Sequence, residues 1–458
     1  MKIGLLPLYV KLYDDKLPEL RVRANAFYEK IAARFEEKGA CVIRSPFCRL
    51  SGEFDEAVRH FEAEQADAIV TIHIAYSPSL ESVDALCGTS LPIIVLDTTE
   101  TLAFTNRQDP GEIMYCHGVH GVMDMCSLLT RRGKEYVIAA GHLEESDCID
   151  RVCGYVRAAA AARALRRAKV GLVGGTFDGM GDFQISYGEL HERFGIEVID
   201  LPASDMSRYA GSVTDDEIAA EMTDNAEKYD LDGSMIEEEY AQSVRACLAV
   251  RECVSERGLT AFSINFSNMG EKAGLSSMPF IECCKAMERG IGYAGEGDTM
   301  TAAFTGALLQ GYPNATFVEI FCPDWKNDMV FLSHMGEVNY RDAAVKPCIK
   351  RVGVNYSPGL YPYVGYTRMK GGRGVYLNIS RGRDDFKLVL APAEMVDYED
   401  DNFGDSMRGW MKLGCGCAEF LEKLSLHGAT HHSVFVYGAD VEQMAYFGKL
   451  LRIETVVI

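Results

Sequence analysis

The spacing of apolar and polar residues divides the chain into three stretches of different texture. In the first, the short apolar runs KIGLLPL, CVIRSP, AIVTIHIAY, PIIVLDTT and YVIAAGH, rich in Val and Ile, predict buried strands. Helical patterns lie between several of them. One is LPELRVRANAFYEKIAARFEEKG, with Gly39 at its end as a candidate C-cap. Alternation of this kind builds a parallel sheet with helices on both faces. An Ala- and Arg-rich helix over about residues 146–168 leads into a new strand, KVGLVGG, which opens a second α/β unit. There GIEVIDL and LTAFSINF read as strands, and IEEEYAQSVRACLAVRECVSERG and residues 279–289 as helices. Beyond about residue 315, the runs ATFVEIF, DMVFLSH, GVYLNIS, FKLVLAP, SVFVYG and ETVVI follow one another with turn residues between, and one helix is expected, around 417–426. The pattern predicts two doubly wound α/β domains, residues 1–168 and 169–314, followed by a mostly antiparallel β-rich domain over 315–458.

At 458 residues the chain exceeds what one ordinary core supports, and an apolar content of 48% marks it as globular. The net charge of -21 leaves no basic footprint for nucleic acid or for an anionic membrane. No stretch reaches the roughly 18–20 uninterrupted apolar residues of a membrane-spanning helix. The opening MKIGLLPLYVKLYDD lacks a signal-peptide pattern, so a cytoplasmic location is expected. The 15 cysteines are scattered without zinc-finger spacing and are expected to be reduced, mostly buried thiols.

Several segments carry residue types suited to a reactive centre. KVGLVGGTFDGMGD follows a strand but lacks the G-x-G-x-x-G spacing, so it reads as a tight turn that can border a pocket. YCHGVHG groups Cys116, His117 and His120 ahead of a helix; nothing nearby completes four metal ligands, so one histidine is expected to bond a ligand and the other to be structural. YAGEGDTMTAA sets Glu296 between glycines, either for close approach of a ligand or as an acidic residue favoured at a helix start. Glu319 interrupts the apolar run ATFVEIF, a costly position unless the charge is paired or metal-bound. FLSHMGEV ends an apolar run on His334, with Glu337 three residues on. GATHHSVFVYG opens on His431 and His432, which on a strand point to opposite faces, so one of them at most aims at a given site. Two glutamates and two histidines from separated segments form an O2N2 set suited to Mn²⁺ or a similar divalent ion, with two positions left for substrate oxygens.

These segments, in this order, resemble those of L-arabinose isomerases. GYAGEGDTMTAA is similar to their GEGDW-x-TAA segment, FVEIF and LSHMGEV to FMEDY and GSHMLEV, and GATHHSVFVYG to an AHHTVFS stretch. INFSNM and VHGVMDMCSLLTRRGKEYVIAAGH have counterparts as well, so the likeness runs from about His120 to the C-terminus. Membership of the L-arabinose/L-fucose isomerase-like family implies two α/β domains and a C-terminal barrel-like β domain. It implies a metal held by Glu296, Glu319, His334 and His432, with His431 facing away on the other side of its strand. It further implies that His120 contacts the sugar and that Phe266 forms an apolar wall. The proton shuttle of an aldose–ketose isomerase falls to Glu296 and Glu319 jointly, through an enediol(ate). Trimers or hexamers with sites between subunits are expected for such a protein.

The chain also departs from that pattern. The glutamine that touches the sugar after the relatives' first strand has no counterpart in LLPLYVKLYDD, and GTFDGMGDF and FVEIFCPDW differ from the corresponding stretches. The sugar is therefore open between a pentose, a 6-deoxyhexose and an anionic hexose. For an anion, Lys11, Arg21 and Arg23 are the first residues to inspect, against their ordinary role as solvated surface charges. A catalytically inactive sugar-binding relative is the alternative to an isomerase, and retention of all four ligand positions favours the enzyme.

Overall fold

A computed structural model describes residues 1–458. The chain forms two compact units, Met1–Ala160 and Ala161–Ile458. In the first, strands β1 (Lys2–Leu8), β2 (Cys41–Arg44), β3 (Ala68–His73), β4 (Ile93–Asp97) and β5 (Tyr136–Ala140) make one parallel sheet in the order 2-1-3-4-5. Every residue of β3 is buried, which is why this strand reads as an unbroken apolar run rather than an alternating one. Helices Leu20–Glu37, Ser51–Ala63, Ser79–Gly88 and Gly118–Arg131 connect the strands. Leu6, Phe54, Phe61, Ile69, Leu86 and Met125 form part of the core between them. The order reverses between β1 and β3, and the carboxyl ends of strands at such a switch point border a crevice in doubly wound sheets. Gly39, at φ +79°, ends the helix Leu20–Glu37 in the left-handed conformation that its position predicts.

The second unit contains β6 (Lys169–Val173), β7 (Glu197–Leu201), β8 (Asp230–Leu231), β9 (Ala261–Ile264) and β10 (Gly292–Gly295). Four of these form a parallel sheet in the order 10-9-6-7, and β8 joins a small separate sheet with β13 (Cys348–Arg351) and β14 (Tyr363–Tyr366). The remaining strands are β11 (Ala315–Asp324), β12 (Met329–Ser333), β15 (Gly372–Arg381), β16 (Phe386–Val396), β17 (Gly409–Leu413), β18 (His432–Tyr437) and β19 (Glu454–Val457). They run in the order 15-18-11-12-17-16, all antiparallel, and β15 pairs back on β16 to close a six-stranded barrel. Closure leaves no free edge. β19 lies parallel along part of β16.

The C-terminal stretch carries a second helix, Val441–Leu451, where the sequence pattern predicted only Cys417–Leu426. Asp440 caps it, its side chain accepting the Gln443 backbone N–H at 2.9 Å, and Met444, Tyr446, Phe447 and Leu451 are buried along it. The helix is only three turns long, between two strong strand signals that dominate the pattern.

Candidate active site

The barrel register places two of the four implied ligands opposite each other. Glu319 in β11 pairs directly with His432 in β18, and with Ser333 in β12 on its other side. Directly opposed residues share a face of the sheet, so the Glu319 and His432 side chains point the same way. His334 follows Ser333, and its Nε2 lies 3.5 Å from Glu319 Oε2. The ligand-capable atoms of Glu319, His334 and His432 all fall within 4.8 Å of one another. Those of Glu296, His431 and His432 form a second such group, so His432 is common to both.

Glu296 comes from the parallel sheet, directly after β10, at φ 63°. A left-handed glutamate is uncommon and costs of order 1–3 kcal/mol, which the surroundings must hold in place. Both flanking glycines are required by close approach. A Cβ on Gly295 would lie 2.8 Å from His334 Cε1, and one on Gly297 only 2.4 Å from the Gly175 carbonyl oxygen. The loop after β6 supplies the hold: the Phe177 backbone N–H donates to the Glu296 carbonyl at 2.8 Å, and the Thr176 hydroxyl to that of Gly297 at 3.3 Å. The Gly-rich turn is thus part of the site's wall.

Each of the two histidines in the first group has its Nδ1 committed to a buried carboxylate. His334 Nδ1–H donates to Glu337 Oε2 at 2.6 Å, and Glu337 Oε1 also accepts the Tyr293 hydroxyl at 2.9 Å. His432 Nδ1–H donates to Asp298 Oδ2 at 3.1 Å, while Asp298 Oδ1 caps the helix Thr299–Gly311 at the Thr301 N–H. A carboxylate on Nδ1 fixes the tautomer that offers Nε2 to a metal. Phe317 packs edge-on against both rings, at centroid distances of 5.1 and 5.0 Å, and Phe183 stacks on His432 at 5.2 Å and 3°.

Two buried polar atoms in this cluster have no hydrogen-bond partner: His432 Nε2 and Glu296 Oε2. Such atoms are rare because burial without a bond is costly. Nitrogen and oxygen donors left bare in one cluster are what a divalent ion requires, so the residues present fit a metal. The titration behaviour agrees with a tightly coupled charge cluster. Burial raises the Glu319 carboxyl above its ordinary value, despite the three imidazoles nearby. Burial acts the same way on Glu296, but the nearby His431, His432 and His334 imidazoles outweigh it and leave that group lowered. Desolvation opposes protonation of His334, yet the Glu337 carboxylate more than offsets it and lifts the imidazole to about 9.

His431 does not face away from the site. The strand begins only at His432, so alternation has not started at His431, and the two rings lie 4.2 Å apart centre to centre. Its Nε2 approaches Glu296 Oε2 to 3.6 Å, and its Nδ1–H donates to Asp182 at 2.6 Å. Phe266 packs on Phe177, at a centroid distance of 5.2 Å, on the loop that holds Glu296. His120 belongs to the first unit, where its ring stacks on Tyr76 and meets His117 edge-on, and His117 bonds the Tyr13 hydroxyl at 2.7 Å. Lys11 pairs with Asp15, Arg21 with Asp14, and Arg23 with Glu100 and Glu112, so each already has a carboxylate partner. Sequence reasoning did not assign Asp298, Phe183, Phe317 or Asp182. Asp298 stands in the same GEGD segment, two residues after Glu296.

A family model described as the L-arabinose isomerase central domain matches residues 186–310. Among similar proteins, an L-arabinose isomerase of Aeromonas salmonicida is 26% identical over 357 residues, covering 74% of this chain and 70% of that one. One from Tolumonas auensis is 24% identical, covering 86% and 81%, and one from Shouchella clausii is 24% identical, covering 99% and 93%.

Proposed function

Since the chain belongs to the L-arabinose isomerase-like family and is a sugar aldose–ketose isomerase, we propose that it is metal-dependent and works at the cluster of Glu296, Glu319, His334 and His432. The observation that carries the proposal is the pair of bare buried donors, His432 Nε2 and Glu296 Oε2, beside histidines whose other nitrogens are tied down. A divalent ion of the Mn²⁺ type, held by these four residues, would supply positive charge opposite two neighbouring sugar oxygens. The rest of the chemistry falls to the chain. A carboxylate takes the proton from C2 of the aldose and returns it to C1, while the hydroxyl proton passes from O2 to O1. The sugar passes through an enediol(ate) and nothing is gained or lost. Glu296 and Glu319 are the two carboxyls in reach of that task, and in the metal-free protein their environments hold their proton affinities apart. One is raised by burial and the other lowered by the imidazoles around it. The apolar rings of Phe317 and Phe183 shield the histidines from water.

The sugar-contacting role of His120 and the wall role of Phe266 belong to the same proposal, as does a homo-oligomer, trimer or hexamer, with sites formed between subunits. No helix is long and apolar enough to cross a membrane. The test is a panel of pentoses, 6-deoxyhexoses and anionic hexoses incubated with the chelator-treated protein, with and without Mn²⁺. Ketose formation that needs the added ion supports the proposal; full activity without any metal refutes it. Glu296→Gln should abolish turnover with the fold intact, and near-normal activity in that variant refutes the assignment.

A further inference from the structure

The loop between β6 and the helix Tyr187–Phe194 reaches three members of the cluster by separate contacts. Phe177 holds the Glu296 backbone, Phe183 lies flat on His432, and Asp182 binds His431. We propose that Asp182 is a positioning residue for the isomerase, holding His431 so that its Nε2 and the Glu296 carboxylate grip one substrate hydroxyl between them. This rests on the isomerase reading.

Asp182 Oδ2 accepts two bonds from the same residue, the His431 backbone N–H at 3.0 Å and its Nδ1–H at 2.6 Å. One bond fixes where the chain enters β18 and the other fixes the ring's rotation. With Nδ1 committed, the nitrogen turned to Glu296 is Nε2, 3.6 Å from Oε2. That gap is too long for a direct hydrogen bond. Glu296 Oε2 is buried and accepts no hydrogen bond. A hydroxyl seated to one side of the pair suits both atoms chemically, because it donates to the carboxylate while its oxygen still accepts from the imidazole. Without Asp182 the ring, 24% exposed, is free to turn and the grip is lost. None of the four proposed metal ligands bonds to Asp182, so the ion should not register the change.

The experiment compares wild type, Asp182→Ala and Asp182→Asn, the last keeping an oxygen that accepts the same Nδ1–H. Measured for each are kcat and KM on the sugar that turns over, Mn²⁺ affinity by calorimetry, melting temperature, and affinity for xylitol, L-arabinitol and galactitol as unreactive polyols. In Asp182→Ala, kcat falls about 10–100-fold, polyol binding weakens about tenfold, and Mn²⁺ affinity stays within about threefold, while Asp182→Asn restores most of both losses. A wild-type kcat and polyol affinity in Asp182→Ala overturn the role of Asp182 alone. If both variants lose Mn²⁺ and melt far lower together, the residue is structural and the proposal falls. A wild type that converts no sugar and binds none of the polyols sinks the isomerase reading, and this proposal with it.

Discussion

Replacing Gly295 by Ala tests the geometry of the cluster without replacing any of its polar groups. Gly295 ends β10 with an ordinary backbone, so alanine meets no conformational penalty there. Its new methyl group would lie 2.8 Å from His334 Cε1 and 3.2 Å from Nε2, where ordinary contact begins at 3.4 Å. Something must therefore move by about 0.6 Å. The imidazole has little room to retreat, with its Nδ1 bonded to Glu337 at 2.6 Å and its face against the edge of Phe317. Overpacking of this kind costs roughly 1–3 kcal/mol. A reactive constellation tolerates displacements of only about 0.5 Å, so Mn²⁺ affinity should drop about 10–100-fold, the scale set by loss of a ligand's outer support. Calorimetric titration of Mn²⁺ into chelator-treated protein reads the affinity, and a melting curve reads the strain. Gly188→Ala is the control, since nothing lies within 4 Å of a Cβ there. If Gly295→Ala binds Mn²⁺ within twofold of wild type and melts with it, His334 does not sit at an ion-binding position and the reasoning is wrong.

Two further outcomes follow from the same contacts. In metal-free protein, His334 is lifted to about 9 and His431 to about 10, both above the ordinary 6.5. A group whose pKa rises on folding stabilises most while protonated, so this contribution is complete below about pH 6.5 and is lost as pH passes 9 to 10. The melting temperature of chelator-treated protein should accordingly fall between pH 7 and 10; a flat or rising profile contradicts the buried ion pairs. Asp182, brought down to about 2 chiefly by its bonds to His431 against the pull of burial, acts in the opposite sense and loses its contribution only in acid. Glu337→Gln removes the charge behind His334 and should weaken Mn²⁺ about 10–100-fold in calorimetry, with unchanged binding counting against the clamp.

Much of the architecture was legible because buried parallel strands announce themselves as unbroken apolar runs. β1, β3 and β4 are buried along nearly their whole length and were readable as such. β13 and β17 were not, since Cys348–Arg351 and Gly409–Leu413 carry neither a continuous run nor clean alternation. In the site, Glu319 stood out as a charge in an apolar strand, and the structure gives that charge imidazole neighbours. The orientation of His431 was misjudged for a definable reason: alternation applies inside a strand, and His431 lies one residue outside it. Asp182 left no signal at all, because its partner is 249 positions away and a loop aspartate in a Gly-rich turn looks like any other.

Asp298 answers to two masters at once, one oxygen capping the start of a buried helix and the other steering His432. An amide there could keep the first bond and spoil the second, and a longer acid could do the reverse. Tuning this enzyme toward a new sugar by mutation therefore has freedom along the loop after β6, and almost none at the residue two places after Glu296.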